Sequence, residues 1–158
     1  MNANYVFALA LGIGIVAGLR ALTAPAAVSW AARLGWLNLQ GSPLAFMGST
    51  AAVAVFSLAA IGEFVNDLLP KTPPRTAPAP LIARLVMGAL SGACLCAAAS
   101  QPLLAGAALG GIGGVIGAFA GYQARTRLVH GLKVKDALIA IPEDLVAIGI
   151  AFFLVSLR

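Results

Sequence analysis

The chain has 158 residues, of which 61% are hydrophobic and only 9% charged, and its mean hydropathy is +0.98. A soluble domain carries about 25% charged residues, so this composition excludes a water-soluble fold, which could not cover its surface. The net charge of +5 does not point to nucleic acid, because the basic residues sit in short loops between apolar runs, where they orient a membrane protein.

In chain order, Met1-Asn2-Ala3-Asn4 carries no basic residue and the apolar run to Leu19 is long for a secretion signal, which predicts a retained first span. Five segments approach the roughly 20 residues that cross a bilayer: about 3–20, 44–67, 81–99, 103–124 and 137–157. Segment 23–38 is read as an interfacial or re-entrant helix. Thr23 can cap it, Pro25 suits its first turn, and Trp30, Arg33 and Trp36 are residue types of the membrane interface. Residues 70–80 hold five of the nine prolines and are read as a stiff, extended loop. The whole, residues 1–158, is one all-α transmembrane domain of about five spans.

Five spans divide the basic residues unequally. Lys71, Arg75, Arg84, Arg125, Arg127, Lys133 and Lys135 fall on one side, and Arg20, Arg33 and Arg158 on the other. The excess marks the first side as cytoplasmic, with the N-terminus inside and the C-terminus outside.

Gly14, Gly18, Ala21 and Thr23 recur 103 residues later as Gly117, Gly121, Ala124 and Thr126, and Arg20 and Arg125 sit near matching places. With five spans the two motifs run in opposite directions. This predicts an inverted repeat of spans 1–2 and 4–5 about a central helix, the plan of many carriers. A sixth span at 23–38 would undo the inversion. Span 4 also carries Gly106, Gly110, Gly114 and Gly117 at helical spacing, and a second series of Gly113, Gly117 and Gly121. Such faces let helices pack closely in lipid; a smooth seam would also let spans 1 and 4 slide. Five spans enclose little volume, which predicts a homodimer.

The five acids are Glu63, Asp67, Asp136, Glu143 and Asp144. Glu63, Asn66 and Asp67 share one helical face, with Arg84 and Lys71 as the nearest cations by topology. Two readings stand: a solvated helix end with surface ion pairs, or a proton or cation site formed by Glu63, Asp67, Glu143 and Asp144, since ionisable groups within a span are expensive. Ile141-Pro142-Glu143-Asp144 has the form of a helix start. It is either simple capping or a break that places Glu143 about 9 Å deep. Arg20, Arg84 and Arg125 are candidate contacts for an anionic group, or they snorkel to lipid headgroups.

Cys94 and Cys96 point to different faces of one helix and read as packing residues. They and the lone His130 cannot build a metal site. No GxSxG, HExxH or P-loop is present, so neither an enzyme nor a cofactor is expected.

Gly18-Leu19-Arg20-Ala21-Leu22-Thr23-Ala24-Pro25, the run Glu63-Phe64-Val65-Asn66-Asp67 through Pro70, Pro73 and Arg75, the segment Gly121-Tyr122-Gln123-Ala124-Arg125, and Glu143-Asp144 together resemble the small bacterial integral-membrane family catalogued as domain of unknown function 4126. The resemblance covers most of the chain and implies a multi-pass protein of the bacterial inner membrane. It supplies no activity and no site residues. The functional expectation is a small carrier or permease for an anionic or amphipathic solute, with proton or cation coupling. The alternative is a non-transporting scaffold that binds lipid or partner helices.

Overall fold

A computed structural model describes residues 2–67, 76–132 and 136–157, and the side chains of these residues except 132–141. Six α-helices are present and no strand among the described residues. They are α1 (Ala3–Leu19), α2 (Thr23–Arg33), α3 (Thr50–Asp67), α4 (Pro78–Ala98), α5 (Leu103–Leu132) and α6 (Asp136–Ser156), with a 3-10 turn at Ala45–Gly48. Helices α3, α4 and α5 are each long and apolar enough to cross a membrane, and α1 is a shorter apolar helix. Large apolar side chains cover the outside of the bundle, Val55, Leu58, Val86, Ile112 and Phe153 among them. That is the surface a bilayer solvates.

The centre of the bundle is α1, α4 and α5, packed along their glycines. A side chain added at Gly14 would meet the carbonyl of Gly110, and one added at Gly18 would lie 2.6 Å from the Gly117 Cα and the Ala118 amide. Only glycine permits backbones this close. Gly110 and Gly114 face α4 in turn, at Gly88 and at the Arg84 carbonyl. The predicted packing residues Gly14, Gly18, Gly110, Gly114 and Gly117 therefore share one three-helix seam, and Gly121 is buried beyond its last turn.

The direction of this seam overturns the inverted repeat. Gly14 meets Gly110 and Gly18 meets Gly114, so the numbers rise together and α1 runs parallel to α5. By contrast Gly92 meets Gly106 and Gly88 meets Gly110, so α4 is antiparallel to α5. The physical reason is segment 20–49. Helix α2 folds back beside α3, antiparallel to it: the Ala21 and Leu22 amides reach Glu63, while Trp30 reaches Ser57. This segment carries the chain back along the bundle, so three traverses, α2, α3 and α4, separate the two motifs and leave them parallel.

Helix α2 is not an interfacial helix. Ala24, Ala27, Val28 and Ala31 are buried against the neighbouring helices. Its length of 11 residues is about 16 Å, half a bilayer core. It stops at Gly35, whose φ of +80° is the left-handed turn that ends many helices; the Trp36 amide closes it onto the Ala31 carbonyl at 2.9 Å. Thr23 does not cap it; Leu22 precedes the first turn, and no side chain of its own supplies a cap.

Other boundaries agree with the sequence to within a few residues, with three corrections. Pro78 and Pro80 belong to the first turn of α4, where proline's missing N–H costs nothing, so the extended stretch does not reach residue 80. Its part from 70 to 75 lies outside the described residues. Helix α5 continues beyond 124, so His130 stands exposed in its last turn and not in a loop. Helix α6 is continuous through Pro142, so neither a helix start nor a break occurs there. Both chain ends lie at one end of the bundle, because Tyr5 donates a hydrogen bond to the Leu157 carbonyl (3.4 Å). Opposite sides for the N- and C-termini are thereby excluded.

Candidate functional site

The other end of the bundle gathers the ionisable groups from five helices. Arg20 follows the last turn of α1 in extended backbone, its own amide still bonded to the Val16 carbonyl (2.8 Å). This turns its side chain inward, where it is 2% exposed. Its Nε donates to Asp144 Oδ1 of α6, its Nη2 lies 3.5 Å from Asp67 Oδ2 of α3, and its guanidinium lies 5.3 Å from the centre of the Phe64 ring. Arg84, on the second turn of α4, donates from Nε to the Gly18 carbonyl (3.0 Å) and pairs through Nη2 with Glu63 Oε1 at 3.7 Å.

Glu63 has a second task. Its two oxygens accept the Ala21 and Leu22 amides, each at 2.9 Å. These are orphan donors at the head of α2, so a carboxylate from α3 caps a helix that lacks a cap of its own. Further out, Arg125 of α5 pairs with Glu143 at 3.9 Å.

The seven candidate residues Arg20, Arg84, Arg125, Glu63, Asp67, Glu143 and Asp144 thus gather at one end of the bundle in three paired sets, not in the two groups expected. The arginines are not set aside for substrate and the acids for a coupling ion; each arginine is paired with an acid. Arg20 and Arg84 are buried, which excludes snorkelling for both. The reading of Glu63 and Asp67 as a solvated helix end is likewise excluded, since both face buried arginines. Lys71 and the side chain of Asp136 lie outside the described residues. Among the described residues no group of three or more His, Cys, Asp and Glu could hold a metal ion.

Three atoms of the cluster are left over. Arg20 Nη1 and Nη2 and Asp144 Oδ2 are buried and make no hydrogen bond. Beside them opens a cavity of roughly 350 Å³. Helix α2 forms its floor, and α3 and α6, which both pack on α2, form its walls. Beyond Arg20 and Asp144 its lining is apolar: Trp30, Ile61, Phe64, Ile148 and Phe152. The run from Asp144 to Phe152 is eight residues, about 12 Å down the helix.

A family model described as a domain of unknown function (DUF4126) matches residues 7–157. The chain belongs to this family. No curated protein and no solved structure matches it. The DUF4126 model reaches from the second turn of α1 to the residue after α6, so it takes in every residue of the charged cluster and of the cavity.

The charged residues that meet here stand out in the sequence; their pairing does not. The cap that Glu63 places on α2, and the cavity over Trp30 and Ser57, have no local signal.

Proposed function

We propose that this chain is a small multi-pass carrier that moves an amphipathic anion together with a proton. The observation that carries the proposal is the leftover set: two guanidinium nitrogens of Arg20 and one oxygen of Asp144 are buried without a hydrogen bond, and the two residues that carry them line an apolar cavity. Buried polar groups without partners are costly, and an anion at Arg20 would satisfy them.

Charge sets the stoichiometry. Arg20, Asp67 and Asp144 together carry a formal charge of −1. A monoanion alone would make it −2 in a site with little water, at a cost of several kcal/mol. A monoanion that arrives with one proton leaves it unchanged. The proton goes to Asp144, Arg20 is released from its carboxylate, and Nη1 and Nη2 take the anion. Asp144 is faced by Arg20, which follows α1, and by Asp67 from α3, with Glu143 beside it on α6 paired to Arg125 of α5; the Glu63–Arg84 pair of α3 and α4 belongs to the same end of the bundle. Helix α2 presents no charged side chain to the site.

The ends of the bundle orient it in the membrane. Arg20, Arg84, Arg125 and Arg127 belong to the charged end, and by sequence the connections after α3 and α5 carry Lys71, Arg75, Lys133 and Lys135. The positive-inside rule makes this end cytoplasmic in a bacterial inner membrane. Both termini then face the other side, which reverses the orientation drawn from five spans. Segment 20–49 serves as a sixth, half-helical traverse, a form tolerated where protein buries it. The seam glycines are used within one protomer, so a homodimer would have to join through other faces.

The test is proton uptake in proteoliposomes with a pH dye inside and decanesulfonate added outside, a permanent anion that does not cross lipid as a neutral acid. Uptake is expected with the wild type and not with Arg20→Ala or Asp144→Asn. No uptake by a folded wild type, or equal uptake by all three, contradicts the proposal. The scaffold reading has one observation in its favour: only Ala52 and Val53 of α3 are buried, an apolar face that a partner helix would cover as well as lipid does. A stoichiometric protein partner that co-purifies would favour it.

A further inference from the structure

We infer that the ligand of this cavity is a single-chain carboxylic acid drawn sideways from the bilayer. The inference rests on the carrier reading only for transport; the binding site stands on its own geometry. Arg20 Nη1 and Nη2 offer donors and Asp144 Oδ2 an acceptor, all buried without a hydrogen bond on two residues joined through Nε and Oδ1, with Asp67 3.5 Å from Nη2. A carboxyl head satisfies all three. Its oxygens accept from the guanidinium, and the one proton that accompanies it bridges to Asp144 Oδ2. No bond to carbon changes, and the bound pair of carboxyl groups shares a single proton. A sulfonate carries no proton of its own and depends wholly on the one that Asp144 takes up, which makes it a usable but weaker ligand, and a phosphomonoester with one proton still adds a negative charge.

The route is lateral. Ile61, Ile148 and Phe152 line the cavity and are also 60%, 42% and 38% exposed on the outside of the bundle, the face a bilayer covers. An apolar tail therefore passes from lipid into the cleft between α3 and α6 without crossing a polar barrier, and its head travels about 12 Å toward Arg20. The size favours one chain over two. A volume of roughly 350 Å³ is at the low end of ligand cavities, which run from about 300 to 1,000 Å³.

Trp30 lines the cavity and supplies the reporter. In a Trp36→Phe background it is the sole tryptophan of the chain. Dibromostearic acid, titrated into liposomes of unbrominated lipid, is expected to quench its fluorescence saturably, and more tightly as pH falls, by up to tenfold per unit for one proton. Arg20→Ala should weaken that binding at least tenfold. Ala60→Phe, which fills the cavity without touching the ion pairs, should do the same and keeps the test valid if the Arg20 variant misfolds. Quenching that rises only linearly with bulk bromine overturns the inference. So does saturable quenching by dibrominated phosphatidylcholine at equal mole fraction, which would assign the cavity to a two-chain lipid. Saturable binding with no flux in any assay contradicts the carrier reading alone, and flux without quenching contradicts this site alone.

Discussion

Arg20 and Asp144 are 124 positions apart in the chain and joined in the fold. A buried ion pair is weak evidence of net stability, but removal of one partner strands the other charge at a cost of about 3–5 kcal/mol. Arg20→Met is expected to destabilise by that amount in denaturant unfolding in detergent, and Asp144→Leu by less, because Arg20 keeps Asp67 as a partner. The double variant should cost less than the sum of the two, because only Asp67, which faces Arg20 at 3.5 Å, is then left without its cation. Losses that simply add would mean the two side chains are not coupled. Glu63→Gln should cost about 1–3 kcal/mol, because its amide can accept only one of the Ala21 and Leu22 amides and no longer pairs with Arg84. The chemistry of these residues was legible in sequence, since an ionisable group inside an apolar run announces itself. Their partners were not, because no spacing rule links α1 to α6 or α3 to the head of α2.

At the scale of elements, span boundaries were readable because apolar runs of about 20 residues have few other uses. The glycine series were read as packing faces, and the seam is built from them. What could not be read was direction. That depended on α2, which is half the length of a span, carries Arg33 and two flanking tryptophans, and so resembles an interfacial piece. Two substitutions probe the elements. Gly14→Val would push a branched side chain into the Gly110 carbonyl; overpacking costs 1–3 kcal/mol or more, and here both walls are backbone. A fall in Tm together with loss of the monodisperse species is expected, whereas a wild-type Tm would mean α1 and α5 are not seamed there. Pro142→Ala, in the interior of α6, restores a backbone donor and should raise unfolding free energy by about 1–3 kcal/mol in the same assay. No gain would mean that the freed carbonyl is already satisfied.

The whole molecule is a glycine-seamed core of three helices with a second layer, α2, α3 and α6, that holds the cavity. Its two ends differ in charge: the clustered ionisable groups lie at one, and both termini share the other. Membrane-impermeant maleimide should therefore label Asn4→Cys and Ser156→Cys from the same side, and His130→Cys from the opposite side. The native Cys94 and Cys96 are buried and stay silent. Labelling of the two termini from opposite sides would return the chain to an odd number of traverses. Composition already declared a membrane bundle; the even number of traverses came only from the contacts of α2.

The most direct test of the coupled mechanism is Asp144→Asn in proteoliposomes, with decanesulfonate movement and internal pH followed together. Asparagine imitates the protonated carboxyl and frees Arg20 permanently. The expected result is that the anion still enters while the accompanying proton does not. Anion and proton that continue to move one for one in this variant would contradict Asp144 as the proton carrier, and with it the mechanism built on the Arg20 pair.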